Sequence, residues 1–331
     1  MLNPSVSLIA VSRYWKILTY IFLCFSLGVV SSADNAKSKP SALTGTQKVY
    51  YAGLRRSSYS MEKKHRELCS DHKWWADRAK AFAAGLSGDG RKFKPVIIEI
   101  VCIYLDGTCE MEFLEPDGID TSVKGIKWFN PKASINHETA LETYDKEGVN
   151  AIIQIEPGSA DVTKCLEIVH KKFGHHKCVI GYGVDAEWYF TKGSKQNSGR
   201  PITDKEASEW TKKVLSFNSS YLIFLKHWET AHMPPHYRNP QLFFVSDSMG
   251  FKNQQQLMKD FKDWGSTFKN SAVGFQFGYK KDFKWWKKLK NPPSEISGEI
   301  LKGIPNTRYL FWVDFTADQV TFSSDPDKGD K

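Results

Sequence analysis

Asp185 and Glu187 stand two residues apart at the end of an apolar run, VIGYGVDAEWYF (179–190), with Trp188 and Tyr189 directly after them. Like charges this close push their pKa values apart, so one carboxyl keeps its proton near neutral pH beside an ionised neighbour. A proton donor next to a carboxylate is the equipment for protonating a leaving oxygen, and glycoside hydrolysis uses such a pair. The bland alternative is that both acids pair with Lys226 or Arg308 and only stabilise a rim.

Polar residues close several other apolar runs. Gln154 and Glu156 end VNAIIQIEPG (149–158), and Lys226, His227 and Trp228 end SYLIFLKHW (220–228). Asp247 falls in QLFFVSDS (241–248), Gln276 in AVGFQFGY (272–279), and Trp312 and Asp314 in RYLFWVDF (308–315). Side chains alternate faces along a strand, so Gln154 with Glu156, Asp185 with Glu187, and Trp312 with Asp314 are expected to be same-side pairs. In a sugar site Lys226, His227 and Gln276 would hydrogen-bond hydroxyls, while Trp188, Trp228 and Trp312 would stack on ring faces. As plain structure, Trp228 and Trp312 would be core and His227 would bond a backbone carbonyl. His175 and His176 precede a strand rather than end one, and no cysteine spacing resembles a zinc site. No metal ligand and no cofactor is expected.

The elements that must position these residues alternate in type. Besides the runs above, KPVIIEIVCIY (94–104) reads as a strand and VKGIKWF (123–129) as a weaker one. Between the runs lie ADVTKCLEIVHKKFG, DKEASEWTKKVLSF, NQQQLMKDFKDWGSTF and SEISGEILKGI, with apolar residues at three- and four-residue spacing. Asp161, Asp204 and Ser294 are the predicted helix caps. Alternating strands and helices imply a parallel sheet covered by helices. Counting the weaker candidate, eight strands predict an α/β fold, a closed (β/α)8 TIM-type barrel, whose function sits at the carboxyl ends of its strands. No GxGxxG or phosphate-binding loop follows any strand, which argues against an open nucleotide-binding sheet. A helical pattern over 59–86 is expected to precede the barrel as an N-terminal extension.

A D-x-E at the end of a fourth barrel strand resembles the chitinase-like glycoside hydrolases of family 18. Their strand ends D-G-hydrophobic-D-hydrophobic-D-aromatic-E. Here Gly181, Val184, Asp185 and Glu187 fit, while Ile180 and Gly183 replace two aspartates and Ala186 replaces the aromatic. The resemblance implies that Glu187 is the general acid and that Asp185 orients a substrate acetamido group acting as nucleophile. It implies Trp312 as the floor of a sugar subsite. Of the family's Met-x-Tyr-Asp, the stretch FVSD (244–247) keeps only Asp247. Non-catalytic sugar-binding relatives share the fold.

The start of the chain reads as a secretory signal peptide over 1–33. Arg13 and Lys16 precede a short apolar run, and small residues lead to a cut after Ala33. A flexible leader is expected over 34–58 and a single barrel domain over 59–331. The mature chain is expected to be secreted, with no transmembrane segment. Five mature cysteines, Cys69, Cys102, Cys109, Cys165 and Cys178, leave an odd thiol; bridges Cys102–Cys109 and Cys165–Cys178 are plausible, with Cys69 competing. Asn218-Ser219-Ser220 is a glycosylation sequon.

The chain carries a net charge of +9, and much of it sits in KKDFKWWKKLK, 280–290. Basic and aromatic residues interleaved in this way suit a polyanion or an anionic surface. A helix with Trp285 and Trp286 half buried and its lysines in water is the favoured account. Three functions follow for the whole. The first is a secreted glycosidase acting on a polysaccharide that contains N-acetylhexosamine, with Glu156, Asp247 or Asp314 as second carboxylate. The others are a polysaccharide-binding barrel without hydrolysis and a polyanion or surface-adhesion protein using 280–290. No nucleic-acid partner is expected.

Overall fold

In a computed structural model the described residues are 48–59, 70–88, 90–128, 136–191 and 199–322. Eight parallel strands close on themselves: β1 (Tyr50–Arg56), β2 (Phe93–Leu105), β5 (Asn150–Ile155), β6 (Val179–Asp185), β7 (Leu222–Lys226), β8 (Leu242–Ser246), β9 (Val273–Phe277) and β10 (Thr307–Val313), with β10 paired back to β1. The chain is a (β/α)8 barrel. Eight is the expected number, but one member differs. Tyr50–Arg56 is the first strand, so the leader expected over 34–58 ends earlier, and the compact unit begins at Lys48.

The weaker candidate at 123–129 contributes only β4 (Ile126–Trp128), which stands outside the barrel. It pairs with β3 (Thr108–Met111), the second arm of a hairpin that extends β2. Asp106 (φ 47°) and Gly107 (φ 87°) make the two-residue turn of that hairpin. Positive φ at both positions matches the right-handed twist of the arms.

The helix expected as an extension is the first crossover of the barrel. His72–Leu86 lies in sequence between β1 and β2 and packs on both, and the Asp71 side chain caps it by accepting from the Trp74 amide at 2.9 Å. Further helices cover the barrel at His137–Glu147, Val162–Phe173, Asp204–Phe217, Gln254–Thr267 and Pro292–Gly303. Residues 227–241, between β7 and β8, hold a single turn of 3-10 helix instead. Of the three expected caps Asp161 is one. Thr203 rather than Asp204 caps the next helix through a capping box with Glu206, which frees Asp204 to accept from the His236 and Tyr237 amides. Asn291 rather than Ser294 caps the last helix, because Pro292 and Pro293 fill the first positions, where an amide is not needed.

Alternation sorts every strand into two cores. Val96, Ile98, Ile100, Ile152, Phe224, Phe243, Val245, Tyr309 and Phe311 fill the barrel interior. Leu54, Ile97, Ile153, Val184, Leu225, Phe244, Phe275, Leu310 and Trp312 face the helices. Gly183 belongs to the inner set by its lack of a side chain: a Cβ there would lie 2.0 Å from the Phe224 ring. That ring occupies the place where the family-18 pattern would put an aspartate.

Four thiols, Cys102, Cys109, Cys165 and Cys178, are buried and unbridged. Cys165 sits in the first turn of its helix and Cys178 beyond its far end, and a helix rises ~1.5 Å per residue, so that expected bridge does not form. Cys165 approaches Cys109 instead, at 4.0 Å, while Cys178 donates to the Leu141 carbonyl at 3.5 Å. The Cys102 thiol lies 3.0 Å from the Met111 sulfur rather than in a bond to Cys109. The signal segment and Cys69 lie outside the described residues. No helix among those described is long and apolar enough to cross a membrane. Asn218 of the sequon is exposed at a helix C-terminus. In 280–290 Trp285 and Trp286 are buried and the lysines are exposed.

Candidate functional site

Above the apolar filling of the barrel, the inward positions turn polar at the carboxyl ends of the strands. Lys226 on β7 is 2.7 Å from Asp185 at the end of β6 and 2.6 Å from Asp247 just past β8. Gln154 on β5 donates to the same Asp185 oxygen at 3.2 Å. All four side chains are buried. An ion pair in this setting persists because each carboxylate has the ammonium as a partner; removing one member would strand the others.

The spacing of Asp185 and Glu187 has a local cause other than strand alternation. Asp185 ends β6, and its other oxygen accepts from the Glu187 amide at 3.2 Å. It thereby caps a single 3-10 turn, Ala186–Trp188, that carries Glu187 beyond the strand. Glu187 is 4% exposed, and its Oε1 has no hydrogen-bond partner among the described residues. Burial, then the charges of Asp247 and Asp185, push its carboxyl well above the ordinary carboxylate range.

Its neighbours shift in the same direction. Burial raises Asp185 to about 6, with Lys226 opposing and Asp247 adding to the rise. Burial and the Asp185 charge raise Glu156 to about 8. Burial works against the Lys226 ammonium, but Asp185 and Asp247 outweigh it and hold the group protonated. The cluster therefore combines a buried cation held between Asp185 and Asp247 with a neighbouring Glu187 whose proton is held more tightly than usual.

Glu156 accepts from the Tyr59 hydroxyl and, at 2.8 Å, from the Tyr104 amide. Gln276 accepts from the Tyr279 hydroxyl at 3.2 Å. Four buried polar atoms in this group lack a partner among the described residues: Glu187 Oε1, Asp247 Oδ1, Gln154 Oε1 and Gln276 Nε2. They come from four different strand ends. Three accept, or share a proton, and one donates, which suits a ligand rich in hydroxyls.

The mouth thus brings together Gln154, Glu156, Asp185, Glu187, Lys226, Asp247 and Gln276, as expected. Asp314 is also at a strand end, but its carboxylate is taken up by Arg55, at 2.5 Å, and by the Ser57 hydroxyl. Trp312 does not line the mouth. It faces the helical layer against Phe277, Trp286 and Phe322, and its indole donates to Thr316 at 3.0 Å. Alternation with Phe311 inside puts Trp312 outside, and Asp314 follows on a separate 3-10 turn, so the two are not a same-side pair.

His227 is held by its own loop. Its Nδ1 accepts from the Glu229 amide at 2.7 Å, and its ring stacks on Trp228 and His232. Burial and His232 lower it to about 3, so it is a neutral wall residue. Half-buried Trp188 stacks on Tyr104 at 4.7 Å and 19°.

Arg55, Ser57, Tyr59, Tyr104 and Tyr279 were not singled out from the sequence. YYAGLRR, with Tyr51, Gly53 and Arg55 in inward register, carried the signal for the first of them. The open groove of about 960 Å³ between Gln254–Thr267 and Pro292–Gly303 is lined by residues of those helices and lies away from the acids.

No protein-family model matches the chain, and no curated protein sequence matches it either. Among solved structures, the native malate synthase of Haloferax volcanii aligns with 87% of this chain and 77% of its own. The identity is 10% and the TM-score 0.41.

Proposed function

We propose that this chain is a glycoside hydrolase acting on a polysaccharide, with Glu187 as general acid. The observation that carries the reading is a buried Glu187 with one oxygen unpartnered and its carboxyl shifted upward, beside carboxylates anchored on Lys226. A carboxyl kept neutral by burial and like charge is suited to protonate a glycosidic oxygen as it leaves. Asp247, whose second oxygen is unpartnered, is the second carboxylate. Asp185 acts as a positioning residue: its oxygens hold Lys226, Gln154 and the Glu187 amide. An acetamido contact at Asp185, as the family-18 likeness would have it, competes with those bonds; Asp247 Oδ1 is the better placed acceptor for an N-acetyl N–H. In this reading the chain is secreted and loses residues 1–33, and its partner is a polysaccharide rather than nucleic acid.

A second reading, a barrel that binds polysaccharide without cleaving it, is favoured by one feature. Phe224 fills the place of a catalytic-pattern aspartate at Gly183. Mass spectrometry of products from chitin, peptidoglycan, glucan and galactosaminoglycan oligosaccharides separates the two. Cleavage that disappears in Glu187→Gln supports the hydrolase. Cleavage that survives in that variant removes Glu187 as the acid, and retention without cleavage supports the binding barrel.

A further inference from the structure

At the opposite end of the barrel, before β6 begins, His175 and His176 meet Glu138 from the helix His137–Glu147. His175 Nε2 is 3.1 Å and His176 Nε2 3.2 Å from the same carboxylate oxygen, Glu138 Oε1. One ligand atom from each of the three residues lies within 4.8 Å of the others. The second Glu138 oxygen faces the Lys172 ammonium at 3.8 Å, which leaves Oε1 to the imidazoles.

His176 fixes the chemistry of this group. Its side chain is 4% exposed, and its Nδ1 lies 2.8 Å from Asp145 Oδ2. A carboxylate only accepts, so Nδ1 carries a ring hydrogen toward Asp145, and Nε2 is the atom turned toward Glu138. An ion bound by both atoms at about 2.0–2.2 Å would sit beside this pair, because two ligands of one tetrahedral ion stand about 3 Å apart. A carboxylate–histidine pair with the far nitrogen free is also the arrangement that orients an imidazole toward a metal ion.

We propose that Glu138, His175 and His176 form a binding site for a borderline divalent transition-metal ion such as Zn2+. Asp145 orients His176, and water completes the coordination. Two imidazole nitrogens and one carboxylate oxygen suit Zn2+ and disfavour Mg2+ or Ca2+, which take oxygen ligands. Bound metal would tie the helix His137–Glu147 to the turn that feeds β6. This site is independent of the acid cluster and of any hydrolytic activity.

The test is calorimetric titration of Zn2+ into the untagged, chelator-treated full mature chain. One equivalent is expected to bind, with no heat from Mg2+ at the same concentrations. His175→Ala changes a side chain that is 61% exposed, so the variant keeps its fold, and its affinity is expected to fall at least about tenfold. Asp145→Asn is expected to weaken binding by about 10- to 100-fold, the effect of losing a residue behind the ligand. The metal is expected to raise the melting temperature of the wild type and not that of His175→Ala. No Zn2+ binding, or binding unchanged in His175→Ala, overturns the site and leaves His176 as a protonated ion-pair partner of two carboxylates.

Discussion

Glu99 and Glu187 are both buried glutamates in this barrel, and their surroundings shift their carboxyls in opposite directions. Glu99, on β2, faces the helical layer; one oxygen pairs with Arg56 and with His137 Nδ1 at 2.6 Å, and the other accepts from the Tyr144 hydroxyl at 3.2 Å. Burial opposes its charge, but Arg56 and His137 outweigh burial and lower it to about 2. Glu187 has no cation of its own, two like charges near it and a bare oxygen. Burial therefore says nothing about role until the partners are named. A matched charge joins β1, β2 and a helix into structure. A mismatched one favours the protonated form at the mouth. The loosest edge of the Glu99 cluster is the 3.9 Å gap between His137 Nε2 and Glu112 Oε2.

That contrast is strongest in paired substitutions. Glu187→Gln is expected to lower the rate of oligosaccharide cleavage by ~10²- to 10⁴-fold, the usual weight of a general acid, with the melting temperature kept or raised. Product release followed over time measures the first part, and a thermal melt the second. Glu99→Gln is expected to do the reverse. It removes the carboxylate charge that Arg56 faces in the protein interior, at a cost of about 3–5 kcal/mol in urea unfolding. If Glu99→Gln proves neutral and Glu187→Gln unfolds the chain, the contrast is wrong.

The pH dependence of stability should carry opposite signs at the two places. Asp185 and Glu156 are raised in the fold, from 3.8 to about 6 and from 4.5 to about 8. The folded state binds their protons more tightly, so their contribution is full below about pH 4. It fades as pH rises through about 6 and then about 8. Glu99 is lowered to about 2, so its contribution is full above its ordinary value of 4.5 and is lost as pH falls through about 2. Each pKa unit is worth ~1.4 kcal/mol. Urea unfolding from pH 5 to 8 should show stability declining, and Glu156→Gln should flatten the upper part of that decline.

The smallest effect is expected at the exposed lysines of 280–290. Lys284→Ala with Lys288→Ala should change stability by less than ~0.5 kcal/mol per site and leave binding to neutral oligosaccharides unaltered, because both side chains stand in water. A retention assay at two salt concentrations checks this. Loss of binding would move attention from the mouth to that surface.

Much of this molecule was determined by sequence alone, wherever the signal is periodic and local. Seven of the barrel strands, five of the helices and the polar residues ending the strands follow from alternation and helical spacing, which act within a few residues of chain. So does the membership of most of the acid cluster, since inward parity at the end of a strand is itself local. Other features depended on who faces whom. Tyr50–Arg56 closes the barrel by pairing with β2 and with β10, some 250 residues away, and nothing in its own few residues marks that closure. Trp312 went to the helical layer because Phe311 took the interior. The single Lys226 that two carboxylates share, the bare oxygen of Glu187, and the meeting of Glu138 with His175 and His176 all join separate segments. Charge state and ligand geometry are set by distances between such segments. Those distances exist only once the chain has folded.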